Sequence, residues 1–376
     1  MKPSIYALLI AGFVLTSTTV GQSQSPFDTW DKNGDGRLTK EELPPNVRQN
    51  FGKVDTNKDG FISRQEDSAF RRRGANRIQT GRRPAYANIE IRKDLAYAGT
   101  DNPRQKLDLF LPKERSSDKP LPLIAFIHGG GWKNGDKRGG LRRVAAFVES
   151  GDFVGASIGY RLSGEAIWPA QIHDCKAAIR WLRAHAEEFG FAPNRIAVMG
   201  SSAGGHLVAM LGTSGGVEKL EGKLGEHKNV SSRVNCVVDE YGPTNFLTMN
   251  DFPGKMDHLA ADSPESKLLG QQITKVPELV REASPTTYVT KDDPPILIIH
   301  GTKDPLVPYQ QSVVFADELR KSGVQVTLLK IENGEHGDFN SEEVSTRTKM
   351  FIAKHLLGRD IDISAEPITL KPRARR

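Results

Sequence analysis

Short apolar runs alternate with helical patterns through most of this 376-residue chain, and this alternation constrains the fold more than any other feature. Most of the runs stop at a glycine, as strands buried in a parallel sheet do. They read KLDLFLP, LPLIAFIHGGGW, GDFVGASIGY, RIAVMG, RVNCVVDEYG, PPILIIHG and VQVTLLKIE. Between them lie helical patterns, clearest at 174–189 and 311–321. The sequence therefore predicts an α/β fold with a mostly parallel central sheet covered on both faces.

A serine between glycines follows one of these runs directly. In GSSAG, residues 200–204, the pattern G-x-S-x-G has Ser202 at its centre. This pattern is typical of a strand that turns at once into a helix and holds the serine oxygen exposed at the sheet edge. The plainer interpretation is a helix cap, a role to which Ser201 is equally suited. The apolar run before the pattern and AGGHLVAML after it favour a nucleophile.

A serine hydroxyl becomes reactive only when a base takes its proton and an acid orients that base. Asp304 lies in a turn after the run PPILIIHG, and His336 lies in the glycine-rich GEHGDF after the next run. The order serine, acid, histidine is that of the α/β-hydrolases, and ligands of such folds gather beyond the carboxyl ends of the strands. We therefore expect Ser202, Asp304 and His336 to act together.

Other ionisable residues near these motifs are weaker candidates. Three aspartates compete as the acid, but none ends the penultimate apolar run: Asp292, Asp293 and Asp338. His300 ends its own run and is predicted to be structural. His206 follows the serine within the predicted helix, where it is better placed for packing than for proton transfer.

Three consecutive glycines in FIHGGGW, residues 126–132, follow another apolar run. Backbone N–H groups can approach a reacting carbonyl only where no side chain intervenes. We expect the N–H groups of Gly130, Gly131 and Ala203 to donate to the developing oxyanion. A phosphate cradle is an alternative use of glycines, but the lysine that such loops carry is missing.

Five motifs together resemble the α/β-hydrolase carboxylesterases, and among them the bifunctional feruloyl/acetyl-xylan esterase type near the hormone-sensitive-lipase branch. They are HGGGW, YRLSGEAIWPAQIHDCKAAIRWLRAHAEEFG, GSSAGGHLVAMLGT, ASPTTYVTKDDPPILIIHGTKDPLVP and GEHGDF. The resemblance spans about 88–357. It implies an α/β-hydrolase fold and a serine carboxylesterase that hydrolyses short-chain or aromatic acyl esters of small molecules or polysaccharides. It also implies an acyl-enzyme and no catalytic cofactor.

The same resemblance implies a substrate pocket. By analogy, Trp132, Tyr160 and Trp168 line or support the site for the acyl and sugar groups. The segment 243–284 is a variable lid in which substrate choice resides, so specificity does not follow from the resemblance.

Two other functions use the same features. A serine peptidase of the prolyl-oligopeptidase kind has the same triad, but it usually carries a large propeller domain that this sequence lacks. A non-catalytic, calcium-dependent binding protein on a hydrolase scaffold is the second alternative. The presence of a residue at every expected triad position disfavours it.

Two twelve-residue segments near the N-terminus repeat one pattern, D-x-N-x-D-G-x-φ-[ST]-x-x-E, where φ is an apolar residue. They are DKNGDGRLTKEE, residues 31–42, and DTNKDGFISRQE, residues 55–66. This spacing wraps about six to eight oxygen ligands around a calcium ion. The expected ligands are Asp31, Asn33, Asp35, Arg37, Thr39, Glu42, Asp55, Asn57, Asp59, Phe61, Ser63 and Glu66, with Arg37 and Phe61 using backbone carbonyls. Leu38 and Ile62 are expected to pair the two loops back to back.

Residues 26–72 resemble a paired EF-hand. The close spacing of the loops, with Pro44 and Pro45 between them, leaves little room for two full intervening helices. Dockerin modules also repeat calcium loops closely, but they lack the aromatic entry residues Phe27 and Trp30. We therefore expect a structural calcium pair that is remote from the chemistry.

The first 22 residues are typical of an export signal, with Lys2 before the apolar run 5–15 and small residues near Gly21. The protein is therefore predicted to be secreted or periplasmic. That run is too short to span a bilayer, and no later run is longer, so no transmembrane segment is expected.

The net charge of +6 is concentrated in two places. They are RRRGANRIQTGRRPAYA, residues 71–87, and the end of the tail, KPRARR. We interpret 73–87 as a solvated basic linker that could contact acidic polymers. No aromatic residues interleave with the charges as in a nucleic-acid groove, so no nucleic-acid partner is expected. The linker separates the calcium module from an esterase domain at 88–360, and 361–376 forms the basic tail.

Only two cysteines occur, Cys175 and Cys236. An exported chain could join them. Cys175, however, shares a helical stripe with apolar residues, so buried free thiols are the favoured interpretation.

Overall fold

The computed structural model describes residues 26–45, 47–70, 86–252, 254–337, 339 and 341–370. The chain divides into two compact units between Ala85 and Tyr86. The predicted export signal, residues 73–85 of the linker, and 371–376 of the tail lie outside the described residues, so those predictions stay untested.

The N-terminal unit is built on the repeated loops. It contains the helices α1 (Pro26–Trp30) and α2 (Phe51–Val54), a short 3-10 turn (Arg48–Asn50) and the strands β1 (Arg37–Leu38) and β2 (Ile62–Ser63), and residues 64–70 are helical. The strands pair antiparallel with Leu38 opposite Ile62, which confirms the back-to-back arrangement of the loops. Both side chains are buried in a small apolar core with Phe27, Leu43 and Val54.

Nine strands form one sheet within the described part of the C-terminal unit. In chain order they are β3 (Ile89–Ala96), β4 (Lys106–Pro112), β5 (Leu121–Ile127), β6 (Val154–Ile158), β7 (Phe191–Ser201), β8 (Cys236–Glu240), β9 (Ile296–Gly301), β10 (Val326–Glu332) and β11 (Ile368–Thr369). Their order across the sheet is β11-β10-β9-β8-β7-β5-β6-β4-β3. Only the β3–β4 and β4–β6 pairs of this described sheet are antiparallel. The predicted mostly parallel α/β fold is confirmed.

Helices join the strands and cover the sheet. They are α3 (Gly140–Val148), α4 (Ala170–Ala184), α5 (Ala203–Thr213), α6 (Glu218–Glu221), α7 (Pro264–Leu269), α8 (Pro277–Glu282), α9 (Gln310–Lys321) and α10 (Glu342–Leu357). Short 3-10 turns lie at Lys137–Gly139, Phe246–Thr248, Ile273–Lys275 and Pro285–Tyr288. Among the described residues, no helix is both long enough and apolar enough to cross a membrane.

Two apolar cores lie on the two faces of the sheet. In β5 every side chain is buried, and successive residues alternate between the cores. Leu123 and Ile127 belong to one core, whereas Ile124 and Phe126 belong to the other. Burying one such side chain contributes about 1.5–3 kcal/mol, so a strand covered on both faces reads as a continuous apolar run.

Helix α4 begins at Ala170 and ends at Ala184, earlier at both ends than the predicted 174–189. Its first turn contains the buried Gln171, whose amide donates to the carbonyls of Arg161 and Ala166. A buried polar side chain breaks the apolar periodicity on which the prediction depended. Cys175 in this helix and Cys236 in β8 are buried free thiols, as predicted.

Candidate active site

Ser202 lies on the sharp turn between β7 and α5. Its backbone adopts φ 56° and ψ −122°, a conformation that L-residues rarely occupy and that costs on the order of 1–3 kcal/mol. The surrounding chain fixes it, because the Ser202 N–H donates to the Glu240 carbonyl over 2.9 Å. A Cβ at Gly200 would lie 2.3 Å from the carbonyl oxygen of Gly204, so only glycine fits that position of the turn.

The structure brings Ser202, His336 and Asp304 into one hydrogen-bonded chain. His336 Nε2 lies 3.0 Å from Ser202 Oγ, and His336 Nδ1 lies 2.7 Å from Asp304 Oδ2. The second contact requires Nδ1 to carry the proton and donate it to the carboxylate, which leaves Nε2 as the acceptor facing the serine hydroxyl. In this tautomer the imidazole can accept a proton from Ser202.

The carboxylate of Asp304 is completely buried and fully bonded. Its Oδ1 accepts from the N–H groups of Leu306 and Val307 over 2.8 and 2.9 Å. Burial raises the pKa of Asp304, but the hydrogen bonds from His300 and His336 outweigh that effect and hold the pKa well below its usual range. The group is therefore ionised whenever the protein is folded near neutral pH.

His300, predicted to be structural, also contacts this carboxylate. Its Nε2 lies 3.2 Å from Asp304 Oδ2 and 3.0 Å from the Val307 carbonyl, so Nε2 carries the proton. Its Nδ1 lies 2.6 Å from Ser312 Oγ and accepts from that hydroxyl. His300 thus helps to hold Asp304 in place. This positioning role is more specific than the structural role predicted from the sequence.

The rival residues lie elsewhere or make other bonds. Asp293 accepts from the N–H and hydroxyl of Thr290, and Asp292 lines a different depression. Asp338 lies outside the described residues. His206 is fully buried, which lowers its pKa to about 4, and it bonds Trp132 Nε1 and the Ala283 carbonyl. It is a neutral packing residue, as the sequence suggested.

The glycine loop lies beside the serine. Gly130 and Gly131 have φ values of 116° and 58° and line the same cleft as Ser202, Ala203 and His336. Within the described residues, the N–H groups of Gly130, Gly131 and Ala203 donate no hydrogen bond to the protein. A Cβ at Gly130 would lie 2.3 Å from the Asn134 carbonyl oxygen. The turn of the loop therefore requires glycine at position 130, and the approach to the serine requires it at Gly129, where a Cβ would lie 2.5 Å from the Ser201 carbonyl oxygen.

The cleft around Ser202 has a volume of about 430 Å³. Trp132 lines it directly, whereas two of the expected aromatic residues support it from behind. Tyr160 stacks on His128 and donates to the His128 carbonyl over 2.9 Å. Trp168 packs edge-on against His206 with ring centroids 5.6 Å apart.

The two N-terminal loops are folded like calcium loops. Asp31 Oδ2 accepts from the Gly36 N–H and Asp55 Oδ2 accepts from the Gly60 N–H, while the other oxygen of each aspartate is buried without a partner among the described residues. Such an orphaned carboxylate oxygen at the first loop position fits a cation ligand. The Ser63 N–H, which bonds the Glu66 carboxylate, lowers the pKa of Glu66 to about 2.

The remaining expected ligands occupy the same loops. Asn33, Asp35, Asn57 and Asp59 accept loop N–H groups through one side-chain oxygen each, and Thr39 and Ser63 bond the carboxylates of Glu42 and Glu66. No described cluster of three or more histidine, cysteine, aspartate or glutamate side chains is arranged to hold a metal. An EF-hand ion also uses amide and backbone carbonyl oxygens, such as those expected from Arg37 and Phe61.

Family comparison agrees with this geometry. Residues 107–319, more than half of the chain, match the BD-FAE family. This chain belongs to the BD-FAE family. Residues 27–43 and 48–66 match the EF hand.

Three relatives show how far the BD-FAE similarity extends. Esterase LipC of Mycobacterium tuberculosis is 35% identical over 238 residues, which is 63% of this chain and 58% of the relative. A truncated carbohydrate esterase from gut microbiota is 32% identical with a TM-score of 0.67, covering 74% of this chain and 100% of that one. The propionate-bound Est2 esterase of Thermogutta terrifontis is 25% identical with a TM-score of 0.55, covering 72% and 93%.

The curated relatives are longer than the matched region. This BD-FAE family chain covers 51% to 58% of the length of the curated relatives considered. The predicted match to an α/β-hydrolase esterase is confirmed, and the finer feruloyl/acetyl-xylan type remains a prediction.

Two residues of the segment 243–284 line the cleft without any signal in the motifs of the sequence. His258 and Glu265 are buried and bonded to each other. They lie seven residues apart in a segment with no helical or strand periodicity. Buried ionisable residues tend to mark functional sites, and this tendency is the one signal that could have identified His258 and Glu265. The sequence does not show that these two residues are buried.

Proposed function

We propose that this protein is a serine carboxylic ester hydrolase that uses Ser202, His336 and Asp304. The observation that carries the proposal is the continuous chain of hydrogen bonds from Asp304 through His336 to Ser202 Oγ. Unbonded N–H groups in the same cleft support it, because ester hydrolysis needs both a nucleophile and donors for an oxyanion.

In the first half of the proposed reaction, Ser202 Oγ attacks the ester carbonyl carbon while its proton passes to His336 Nε2. The imidazolium that forms is stabilised by the buried, ionised Asp304, which stays ionised throughout. Charge develops on the carbonyl oxygen, and the N–H groups of Gly130, Gly131 and Ala203 donate to it. Each such donor contributes on the order of 100- to 1000-fold in rate.

Collapse of the tetrahedral intermediate completes acylation. The bond to the alcohol breaks, His336 Nε2 returns its proton to the departing oxygen, and an acyl-serine remains. Water then attacks the acyl carbon with His336 again taking the proton, and Ser202 leaves as the restored hydroxyl. No cofactor takes part in these steps.

We infer that the substrates are short-chain or aromatic acyl esters, and that the alcohol is carbohydrate. A similar structure is titled a carbohydrate esterase, and another is titled as propionate-bound. A third similar protein, from Bacteroides eggerthii, is described as a bifunctional GH43-CE. These likenesses support the feruloyl/acetyl-xylan type that the motifs resemble, acting on polysaccharide.

We further propose that residues 26–72 form a calcium module, 73–87 a linker and 88–360 the catalytic domain of a secreted or periplasmic protein. Calcium bound by the loops would organise the N-terminal unit and supply no step of the reaction. The orphaned Oδ1 atoms of Asp31 and Asp55 support the calcium sites. The N-terminal sequence pattern supports export.

An activity panel tests the proposal. Purified protein is assayed on 4-nitrophenyl acetate, butyrate and longer acyl esters, methyl ferulate, acetylated xylan and a peptide 4-nitroanilide. We expect turnover of acetyl and feruloyl esters, none of the peptide amide, and loss of activity in Ser202→Ala.

Ser322→Ala is the matched control, because Ser322 ends α9 through its backbone N–H, which donates to the Glu318 carbonyl and is retained in alanine. A fluorophosphonate probe should label the wild type and the control but not Ser202→Ala. Ester turnover that survives in Ser202→Ala would refute the assignment of the nucleophile.

A further inference from the structure

A buried acid–base pair lies in the wall of the catalytic cleft, apart from the triad. His258 and Glu265 are 2% and 3% exposed, and both line the cleft that contains Ser202 and His336. His258 Nδ1 lies 3.0 Å from Glu265 Oε1. No step of the proposed mechanism uses either residue.

The pair is held next to the glycine loop. Glu265 lies in the first turn of α7, directly after Pro264. A Cβ at Gly131 would lie 3.4 Å from the Cβ of Pro264, so the start of this helix adjoins the loop expected to bind the oxyanion. A substrate whose carbonyl oxygen reaches that loop therefore brings its neighbouring atoms close to Glu265.

The segment that carries the pair also makes internal hydrogen bonds that do not involve the imidazole or the carboxylate of the pair. The His258 N–H donates to Asn250 Oδ1 over 2.9 Å. Ser266 N–H donates to Ser263 Oγ over 3.1 Å, and Ser266 Oγ donates to the Ala260 carbonyl over 2.7 Å. These bonds preorganise the wall of the cleft.

Each member of the pair has one unused polar atom. His258 Nε2 and Glu265 Oε2 are buried and have no hydrogen-bond partner among the described residues. A buried polar group without a partner is costly, and in native proteins it calls for an explanation such as a missing ligand. Because His258 Nδ1 donates to Glu265 Oε1, Nε2 of the neutral imidazole is an acceptor, as is Glu265 Oε2. Both unused atoms therefore lack a hydrogen-bond donor.

We propose that His258 and Glu265 form a polar subsite that binds a hydroxyl group of the ester substrate. A hydroxyl group supplies the O–H donor that these two acceptors lack, whereas an alkyl or aryl ester without hydroxyls leaves them unsatisfied. The inference rests on the proposed esterase function and makes the pair specificity-determining. The hydroxyl belongs either to the sugar of the alcohol half or to the phenol of a hydroxycinnamoyl half, and matched substrates distinguish the two.

The experiment compares esters that differ only in their hydroxyls. One substrate pair is a monoacetylated methyl xyloside with its other hydroxyls free and the same monoacetate with those hydroxyls methylated, and the other is methyl ferulate and methyl 3,4-dimethoxycinnamate. The kcat/KM of each is measured for wild type, Glu265→Ala and the isosteric Glu265→Gln, with 4-nitrophenyl acetate as the hydroxyl-free reference. Glu278→Gln, at a side chain that is 86% exposed, is the matched control.

We expect Glu265→Ala to lower kcat/KM about 10- to 100-fold on a hydroxyl-bearing ester, mainly through KM, because a hydrogen bond to a charged group is lost. The hydroxyl-free partner and 4-nitrophenyl acetate should be unaffected. Glu265→Gln should show a smaller loss of the same kind, and it keeps the test valid if the alanine variant fails to fold. A loss confined to the xyloside pair assigns the alcohol half, and one confined to the cinnamoyl pair assigns the acyl half.

Equal losses on hydroxyl-bearing and hydroxyl-free esters would overturn the subsite and leave the pair as a structural clamp. Unchanged kcat/KM on all substrates in both variants would overturn it as well. In either case, wild-type turnover that depends on Ser202 leaves the esterase function standing. If the wild type hydrolyses none of these esters, the esterase function fails and the subsite fails with it.

Discussion

Replacing Asp304 with asparagine keeps the shape of the side chain but reverses its hydrogen bonding toward His336. The amide oxygen of asparagine can still accept from the N–H groups of Leu306 and Val307, as Asp304 Oδ1 does over 2.8 and 2.9 Å. Its NH₂ group then faces His336 Nδ1, which has to accept instead of donate. The imidazole proton moves to Nε2, and the ring donates to Ser202 Oγ where the wild type accepts.

The expected loss follows from this change of tautomer. Because His336 can no longer take the serine proton, we expect kcat to fall about 10⁴-fold, the scale seen for this substitution in a Ser-His-Asp triad. That factor corresponds to about 5 kcal/mol of transition-state stabilisation. KM should change little, since Asp304 is buried behind the residues that line the cleft.

Stability should change with pH in a defined direction. The pKa of Asp304 lies below its ordinary value of 3.8 in the folded protein, so its ionised form stabilises the fold above that pH. The variant lacks this contribution. Its melting temperature should therefore be lower than that of wild type near pH 7, and the difference should shrink as the pH falls below 3.8 towards the folded pKa.

The assay is hydrolysis of 4-nitrophenyl acetate, with the rate of fluorophosphonate labelling as an independent measure of Ser202 reactivity. Asp293→Asn is the matched control, because Asp293 bonds Thr290 outside the triad. A value of kcat for Asp304→Asn within about tenfold of wild type would refute the tautomer argument, since the expected loss is a thousand times larger.

Three further predictions concern the oxyanion loop, a buried acid and the calcium loops. Gly130→Ala would place a Cβ 2.3 Å from the Asn134 carbonyl oxygen, so kcat on 4-nitrophenyl acetate should fall about 100-fold or more, and an unchanged kcat would exclude this loop as a donor. Burial raises the pKa of Asp239 from 3.8 to about 7, so the folded protein retains a proton that the unfolded chain releases, and stability falls as the pH rises through that window. Asp239→Asn should therefore raise the melting temperature by about 5 °C at pH 8 and by little at pH 4, and an equal effect at both would contradict the shift. Asp31→Ala combined with Asp55→Ala should abolish calcium binding in calorimetry and leave kcat unchanged, whereas loss of turnover on chelation without unfolding would make calcium catalytic.

The central strands could be predicted from the sequence because both faces of each strand are buried, so that nearly all of its residues are apolar. The run LPLIAFI is buried throughout as β5, and PPILIIHG contains β9. The edge strand β3, IEIRKDLA, went unpredicted because most of its side chains are exposed and its composition resembles that of a loop. The two-residue β11 has no period to detect.

The three residues that meet at the cleft were also chosen from the sequence, because each ends or follows a predicted strand. Parallel strands place their carboxyl ends at one edge, so strand order alone brings Ser202, Asp304 and His336 near each other. The second partner of the acid was not predictable in this way. The contact of His300 with Asp304 depends on the turn between them, which brings Nε2 to 3.2 Å from the carboxylate.

Specificity depends on contacts for which the sequence has no periodic signal. The His258–Glu265 pair forms across a turn, in a segment that is held by side-chain bonds such as that between Ser263 and Ser266. The chemistry of the cleft is thus set by residues that follow strand ends, whereas we attribute its selectivity to the segment around the start of α7, which lines the same cleft. Substitutions at the strand ends should lower kcat for every ester alike, and substitutions of the pair should change the ratio between esters. Measuring kcat and the ratio of kcat/KM between esters therefore distinguishes the residues that perform the reaction from the residues that select the substrate.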